Sequence, residues 1–190
     1  MVKITKSAAQ KNRDSLTGAA SKSIRRDGIA NASIQAIAAA AGLTHGAVYR
    51  HFPDKNGLAV AAVDNSFDRI IMLLEDLTAA GGSPQTYVRT YLTPDHRDHF
   101  DWGCPVAPLA AEIFRSPEPV QTAFSIGLRR NIEALSDLIS TGGVENPRAR
   151  SIVMLAGLSG AMAMARATAS TDPGLSAEIL KTAADALCRP

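Results

Sequence analysis

The sequence predicts an all-α protein with about nine helices, and three observations support this class. The chain has 190 residues, of which 46% are hydrophobic but only 5% aromatic, a balance typical of closely packed, alanine-rich helices. Apolar residues recur at spacings of three and four, whereas the two-residue alternation of strands does not persist. Proline and glycine fall between these periodic segments, where they punctuate helices.

The order of the helices follows from apolar spacing and from the residues that begin and end helices. Pro117 and Pro147 stand at predicted helix starts, whereas Gly81-Gly82 and Gly142-Gly143 stand at predicted ends. Residues 94–103 are predicted to form a polar loop. The predicted helices span 9–27, 34–41, 45–51, 54–79, 84–93, 104–115, 117–140, 147–170 and 174–187.

The chain between the first and fourth helices predicts two short helices joined by a tight turn. Ser33 is an N-cap candidate for the first, and Gly42 can adopt the left-handed conformation that ends it. Thr44 is the N-cap candidate for the second short helix, His45–His51, and Asp54 caps the long helix that follows. This arrangement is that of a helix-turn-helix, whose second helix enters the major groove of DNA.

The start of the second short helix carries the small and polar side chains that a DNA-reading helix needs. Thr44, His45 and Ala47 are predicted to contact base edges, and Gly46 permits close approach of the backbone. Phosphate contacts fix the register of a protein on DNA. The four residues that suit such contacts are Ser33, Tyr49, His51 and Lys55. Two alternatives stay open, namely that Tyr49 is a half-buried core aromatic and that His51 is an ordinary surface or capping histidine.

Positive charge is concentrated in the same part of the chain. Residues 1–58 contain nine lysines and arginines against three acidic residues, whereas residues 59–190 contain 11 basic and 15 acidic residues. Phosphate attraction requires such an excess near a DNA-reading helix. A solvated basic face is the alternative explanation, and the coincidence with the helix-turn-helix favours DNA binding.

The stretch described above resembles the DNA-binding domain of the tetracycline-repressor (TetR-like) family. The matching residues are Gly28, Ile37-Ala38, Ala41-Gly42-Leu43-Thr44, Gly46, Val48-Tyr49, His51-Phe52, Lys55 and Leu58. Asn56 and Gly57 depart from the usual pattern, which has a glutamate and a better helix former there. The resemblance implies a helix-turn-helix DNA-binding domain over 1–56 and an effector-binding and dimerisation domain over 57–190.

Helices four to eight surround a ligand cavity in that family, so the resemblance implies an effector pocket in the second domain. The candidate lining is Phe67, Ile71, Leu74, Tyr87, Tyr91, Phe100, Trp102, Cys104, Phe114, Phe124, Leu128 and Met154. The alternative for each is ordinary core packing, because apolar helix faces are normally core.

The resemblance also implies a homodimer formed by the last two long helices. The candidate interface residues are Leu155, Leu158, Ser159, Met162, Arg166, Leu180, Ala184 and Leu187. The alternative is that both apolar stripes face only their own core, since cores and obligate interfaces resemble each other in composition.

Cys104 carries a separate hypothesis. It lies at a predicted helix start, where free backbone N–H groups lower the pKa of a thiol and favour the reactive thiolate. Some relatives with a similar Gly-Cys at this point look like electrophile or oxidant sensors, and the alternative is a buried small hydrophobe. His96 and His99 form a lone H-x-x-H, which is too weak a signal to predict a metal site, and no cofactor is predicted.

The expected function is that of a sequence-specific transcriptional regulator, a repressor released from DNA by a small-molecule or thiol-reactive effector. Its expected partners are a near-palindromic double-stranded DNA operator, a second copy of the chain and an unknown effector. We expect a cytoplasmic protein outside the membrane, because the N-terminus lacks the apolar core of a secretory signal and Ser151–Ala165 is too short to span a bilayer.

An α-helical enzyme is disfavoured, because the sequence lacks the phosphate-cradling glycine, G-x-S-x-G and H-E-x-x-H motifs, and no catalytic residue is predicted. The remaining alternative is a helical adaptor or small-molecule-binding protein that does not bind DNA.

Overall fold

The computed structural model describes residues 6–189, and within that range the chain forms ten α-helices, one short 3-10 helix and no strand. The all-α class is therefore confirmed. In chain order the helices are α1 (Lys6–Asp27), α2 (Ile34–Ala40), α3 (His45–His51), α4 (Lys55–Ala79), α5 (Pro84–Tyr91), α6 (Pro94–Asp98), α7 (Val106–Leu109), the 3-10 helix (Ile113–Arg115), α8 (Glu118–Ser140), α9 (Pro147–Thr168) and α10 (Pro173–Leu187).

Helices α1, α2 and α3 form a small bundle, called here the head. Helix α1 packs against both α2 and the first part of α4, while α2 packs against α3. The interior of the head consists of Leu16, Ile24, Ile37, Val48 and Phe52, each of which is almost fully buried. Burial of these side chains holds α2 and α3, which have seven residues each and are too short to be stable alone in water, against α1.

Helices α4 to α10 form the C-terminal domain, and its long helices pack in succession. Helix α4 lies along α8, α8 along α9, and α9 along α10. At the centre the rings of Phe67 and Phe124 meet edge to face, with centroids 5.3 Å apart. Helix α4 runs unbroken from the head into this domain, so the predicted domain boundary at residues 56 and 57 falls within its first turn.

Two segments differ from the sequence prediction. Residues 94–103, predicted as a loop, begin with helix α6, because Thr93 caps it by accepting a hydrogen bond from the His96 N–H and Pro94 suits its first turn. The helix predicted over 104–115 is reduced to α7 and the 3-10 helix, with a turn between them.

Helix α9 is long and apolar enough to cross a membrane by length and composition alone, a test that core helices of soluble proteins also pass. It packs against α7, α8 and α10, and 44% of its apolar window is buried within the chain.

Candidate DNA-binding surface and effector core

The N-terminal end of α3 presents unused hydrogen-bonding groups to solvent. Thr44 occupies the N-cap position, yet its side chain makes no capping hydrogen bond. Thr44, His45 and Gly46 are exposed and Ala47 is half-buried. The Tyr49 ring meets the His45 ring edge to face, with centroids 5.4 Å apart, and Tyr49 is 49% exposed. The alternative that Tyr49 is a core aromatic is therefore wrong.

The opposite face of α3 fixes these groups in position. Val48 and Phe52 are only 1% and 2% exposed and lie in the core of the head. The Arg13 guanidinium stacks 4.3 Å above the centroid of the Phe52 ring and donates a hydrogen bond to the backbone carbonyl of His51. This pairing attaches the C-terminal end of α3 to α1, so the reading helix is held at its far end.

Local capping sets the turns on either side of α3. Gly42 has a φ of +69°, the left-handed conformation expected at the end of a helix, and the Leu43 N–H donates to the Ala38 carbonyl. Ser33 caps α2 by accepting from the Ala36 N–H, and Asp54 caps α4 by accepting from the Gly57 N–H. The predicted N-cap roles of Ser33 and Asp54 are therefore confirmed.

The other predicted phosphate contacts also lie on the surface of the head. Lys55 is exposed, and its ammonium donates a 2.9 Å hydrogen bond to the Ala30 carbonyl in the loop before α2. His51 is half-buried at the end of α3. Both side chains lie on the α3 and α4 side of the head, where a positive charge would meet a phosphate.

The structure separates the predicted residues of the effector pocket into a buried group and an exposed group. Eight of its members are buried in the C-terminal domain and a ninth, Leu128, is half-buried against that core. Those eight are Phe67, Ile71, Leu74, Tyr87, Tyr91, Cys104, Phe124 and Met154.

The other three predicted lining residues are exposed and lie outside the core that contains the other nine. Phe114, at 61% exposed, lies in the 3-10 helix after the α7 break, and Arg115 stacks over its ring. Phe100 and Trp102 are 42% and 40% exposed and lie on the surface segment after α6.

Four polar side-chain atoms in this core lack hydrogen-bonding partners. The hydroxyls of Tyr87, Tyr91 and Ser159 and the amide oxygen of Asn131 are buried and unpaired. Burial raises the pKa of both tyrosines well above the ordinary value, so their hydroxyls stay protonated. Together with Cys104, these residues form what we call the polar core cluster.

Sequence analysis did not identify Asn131, although a signal was present. The residue continues the buried stripe of α8, four residues after Gly127 and three before Ala134. An amide at an apolar position of such a stripe indicates a buried polar site. Ser159 was predicted to lie at the dimer interface, but it faces the core of its own chain.

Cys104 is buried, and its surroundings oppose the reactive thiolate predicted for it. Only 2% of the residue is exposed, and burial raises the pKa of its thiol above the ordinary value despite the nearby Val106 N–H. The Asn131 amide nitrogen lies 3.9 Å from the sulfur. Cys104 is therefore a buried small residue, which was the alternative to a reactive thiolate.

His96 joins the segment after α5 to the polar core cluster. Its Nδ1 lies 2.7 Å from the Tyr91 carbonyl oxygen, which fixes Nδ1 as the protonated nitrogen. Its ring meets Tyr91 edge to face at 4.5 Å and stacks on Trp102 at 5.4 Å. Gly103, with a φ of +93°, is required beside it, because a Cβ there would lie 2.1 Å from Nε2 of His96. Trp102 is therefore coupled through His96 to Tyr91.

His99 does not join His96 at a shared site. It is exposed and pairs with Asp95, whereas His96 is buried. Among the described residues no group of three or more His, Cys, Asp or Glu side chains converges on a point.

Five of the eight predicted dimer residues are buried inside their own chain, so the dimer prediction is wrong for those five. Leu155, Leu158, Met162 and Leu180 are at most 3% exposed. Spacing identified which face of each helix is buried, but the partner is the rest of the same chain. The remaining members of the predicted set are Ser159, which is buried, and Arg166, Ala184 and Leu187, which are half-buried.

The opposite faces of α9 and α10 expose apolar side chains. Val153 and Met164 on α9 are 65% and 55% exposed, and Leu175 on α10 is 41% exposed. The exposed face of α9 continues through small residues, and a shallow apolar groove joins it to α10. The groove is lined by Ala161, Met164, Leu175, Glu178, Ile179, Thr182, Ala183 and Ala186.

Two hydrogen bonds connect the end of α1 to the segment before α8. The Arg25 guanidinium donates to the Asp101 carbonyl oxygen at 2.6 Å, and the Ile29 N–H donates to the Glu112 carboxylate at 2.7 Å. Arg25 also donates to Ser21, which in turn bonds Ser66 on α4. Burial and the nearby Arg69 lower the pKa of Arg25 to about 10, so it remains charged at neutral pH.

Comparisons with known proteins agree with this architecture. Residues 16–62 match the family described as bacterial regulatory proteins, tetR family, and residues 85–178 match the C-terminal domain of LmrA/YxaF-like transcriptional regulators. The HTH-type transcriptional regulator TtgR of Pseudomonas putida is 38% identical over 65 residues, which cover 34% of this chain and 31% of TtgR. The chain thus matches only about a third of the length of that relative.

Solved structures share the whole fold. The reduced form of NemR from E. coli has a TM-score of 0.79 at 21% identity, covering 93% of this chain and 95% of NemR. A TetR-family transcriptional regulator from Agrobacterium tumefaciens has a TM-score of 0.75 at 22% identity, covering 94% and 98% of the two chains. At these identities the likeness establishes the fold.

A helix-turn-helix head joined by a continuous helix to an all-helical core defines the class of one-component transcriptional regulators. Within that class, the two family matches together span the head and most of the C-terminal domain. The chain belongs to the TetR family of transcriptional regulators, as the resemblance in the sequence implied.

Proposed function

We propose that the protein is a homodimeric, sequence-specific DNA-binding repressor that a small molecule releases from its operator. The observation that carries the proposal is the N-terminal end of α3, where Thr44, His45 and Tyr49 offer exposed side chains on a helix anchored from behind. The basic excess of residues 1–58 supports the proposal, because it lies in the part of the chain that would face phosphates. A regulator of this kind works in the cytoplasm and needs no catalytic residue.

The roles at the DNA surface follow from chemistry and exposure. His45 and the unused hydroxyl of Thr44 read base edges, while Ala47 contacts a thymine methyl group. Tyr49 and Lys55 contact phosphates, with support from His51 and Ser33. The Ser33 and Lys55 side chains already make intramolecular hydrogen bonds, so their contribution is to hold the loops in register as well as to meet the backbone of DNA.

A second copy of the chain supplies the other reading helix. The exposed apolar face of α9 and α10, centred on Val153, Met164 and Leu175, is the surface that a twofold dimer would cover. Small residues beside them, Ala156 and Gly160, would allow two α9 helices to approach closely. The dimer would separate its reading helices by about 34–36 Å or a multiple, which matches the half-sites of a near-palindromic operator.

Release requires that the effector bind one arrangement of the two heads better than the other. The routes for such coupling are α4, which belongs to both parts, and the bonds of Arg25 and Glu112 between α1 and the segment before α8. The shift in DNA affinity can be no larger than the difference in effector affinity between the two arrangements. Because Cys104 is buried, a reversibly bound effector is favoured over a thiol-reactive one.

The experiment is a selection of binding sites from random duplex DNA by the full chain, followed by affinity measurements on the selected site. We expect His45→Ala combined with Tyr49→Ala to weaken specific binding by tenfold or more, since each lost base or phosphate contact costs about 1–3 kcal/mol. Met72→Ala, which truncates an exposed side chain on α4 far from the head, should leave the affinity unchanged.

Two outcomes separate this proposal from a helical adaptor. A repressor selects a conserved, near-palindromic sequence, and its affinity falls steeply with salt because phosphate contacts release counterions. If the double variant enriches the same sequence with the same affinity as the parent protein, α3 does not read DNA and the proposal fails.

A further inference from the structure

The polar core cluster is the most unusual feature of the C-terminal domain. Tyr87 and Tyr91 come from α5, Asn131 from α8, Ser159 from α9 and Cys104 from the segment before α7. Each of the five residues is at most 8% exposed. Five polar groups from four separate parts of the chain thus meet inside an otherwise apolar core.

The members lie close together but do not satisfy one another. The rings of Tyr87 and Tyr91 meet edge to face at 5.9 Å, and the Asn131 amide lies 3.9 Å from the Cys104 sulfur. The Tyr91 hydroxyl is near both Cys104 and Ser159, yet it and the Ser159 hydroxyl lack a hydrogen bond of normal geometry. Buried polar groups are normally paired, so four unpaired atoms in one place give this core unused capacity to form hydrogen bonds.

The surrounding charges define the chemistry of that partner. Arg25 and Arg166 are charged side chains that act electrostatically on the cluster. The terminal nitrogens of Arg25 bond Ser21 and the Asp101 carbonyl and leave its buried Nε unpaired, whereas Arg166 bonds the carbonyls of His96 and Arg97. Neither guanidinium offers the two free N–H groups of a bidentate ion pair that would offset burial of a carboxylate, whereas both cations favour a neutral, electron-rich oxygen.

We propose that the polar core cluster binds a small uncharged molecule that carries a hydrogen-bonding oxygen atom. The hydroxyls of Tyr87, Tyr91 and Ser159 offer three donors, of which the two lone pairs of the ligand oxygen accept up to two, and the Asn131 amide oxygen accepts a hydroxyl or N–H from the ligand. The apolar side chains around the cluster, Phe67 and Phe124 among them, suit a hydrocarbon or ring body. The inference rests on the proposed function and specifies its effector site and the class of its ligand.

Trp102 provides a direct measurement of binding. It is the only tryptophan in the sequence, and it stacks on His96, which in turn contacts Tyr91. A ligand that bonds the Tyr91 hydroxyl therefore changes the surroundings of Trp102 and its fluorescence.

The experiment titrates the full chain, without DNA, with benzyl alcohol, toluene and benzoate. These probes share a seven-carbon skeleton and differ in being hydrogen-bonding, apolar and charged. We expect benzyl alcohol to change the Trp102 fluorescence saturably, and toluene and benzoate to bind at least tenfold more weakly. Tyr91→Phe and Asn131→Leu should each weaken benzyl alcohol binding at least tenfold, whereas Ser140→Ala, which removes an exposed hydroxyl at the end of α8, should not.

The stability of the variants supplies a second test that does not depend on the probe. If the Tyr91 hydroxyl has no partner in the free protein, Tyr91→Phe should melt at the same or a higher temperature than the parent. A lower melting temperature means that the hydroxyl is already satisfied, for example by an ordered water molecule, and overturns the proposal. The proposal is also overturned if toluene binds as tightly as benzyl alcohol, or if benzyl alcohol does not bind.

These outcomes are distinguishable from failure of the proposed function. A protein that selects an operator but shows no preference for benzyl alcohol disproves only the ligand class. A protein that binds benzyl alcohol through Tyr91 and Asn131 but selects no DNA sequence disproves only the repressor function.

Discussion

The head and the C-terminal domain both contain polar groups without intramolecular partners, but in opposite environments. The Thr44 hydroxyl at the start of α3 is exposed, so water satisfies it until another partner arrives. The hydroxyls of Tyr87 and Tyr91 are buried, where an unmet hydrogen bond costs about 1–3 kcal/mol each. The comparison shows that an unpaired polar group costs little free energy at the DNA-binding surface, where water pairs with it. In the core the same group destabilises the protein until a partner forms the missing hydrogen bond.

The largest expected effect tests how strongly the C-terminal domain depends on its packing. Phe67 is fully buried, meets Phe124 edge to face, and lies against Gly127, where any Cβ would overlap its ring. Phe67→Ala should lower the free energy of unfolding by about 3–5 kcal/mol, because it leaves a large cavity. Urea-induced unfolding followed by circular dichroism measures this change.

Met72→Ala on the same helix is the matched control for that prediction. Met72 is 61% exposed, so its truncation should change the free energy of unfolding by less than about 0.5 kcal/mol. Equal effects of the two substitutions would show that the Phe67 site is not the packed centre described above.

A smaller effect separates the two N-cap residues that flank α3. Asp54 accepts a hydrogen bond from the Gly57 N–H, so Asp54→Ala should destabilise the protein by about 1 kcal/mol, while Asp54→Asn retains most of that stability. Thr44 makes no capping bond, so Thr44→Ala should leave stability nearly unchanged and weaken DNA binding instead. Thermal unfolding tests the predicted effects on stability, and operator affinity measured on the same variants tests the predicted effects on DNA binding.

The reverse pattern would contradict the comparison between the two sites. If Thr44→Ala lowered the melting temperature as much as Asp54→Ala, the Thr44 hydroxyl would be structural and not a group held ready for DNA.

The smallest effect concerns the pH dependence of stability and compares two histidines of one segment. Burial lowers the pKa of His96 below its ordinary value of about 6.5, so the unfolded chain binds more protons as pH falls. The contribution of His96 is therefore complete above about pH 6.5 and is lost below it. His96→Asn, which retains a donor for the Tyr91 carbonyl, should flatten the decline between about pH 7.5 and 5.5 in urea unfolding experiments.

His99 supplies a control of opposite sign. Its backbone and carboxylate contacts with Asp95 raise its pKa, so its contribution is present at low pH and is lost as pH rises through that raised value. His99→Asn should therefore not flatten the decline seen below about pH 6.5. If the free energy of unfolding of His96→Asn declines at low pH as much as that of the parent protein, the buried His96 ring is not the source of the decline.

The head could be predicted almost completely from the sequence because its structure is set by neighbours along the chain. Ser33 and Asp54 cap helices three residues away, and Gly42 ends α2 through its own backbone conformation. Such local rules depend on spacing alone. The exposure of Tyr49 could not be predicted in this way, because it depends on how α3 packs against α2 and α1.

The C-terminal domain was predicted less well because its contacts join distant parts of the chain. Apolar spacing identified Leu158 and Met162 as buried but could not indicate that they pack within their own chain. Phe114 was predicted to line the pocket, and the helix over 104–115 was predicted to be continuous. The chain instead turns after α7, and that turn directs Phe114 to solvent.

The two hydrogen bonds from the end of α1 to the segment before α8 have a geometric consequence. Arg25 and Ile29 are four residues apart, and both are bonded to the segment before α8, at Asp101 and Glu112 respectively. A movement that separates the end of α1 from this segment stretches both bonds, whereas a movement in which the two shift together keeps both. In a twofold pair the same constraint would apply to each head, because a rotation of one copy generates the other.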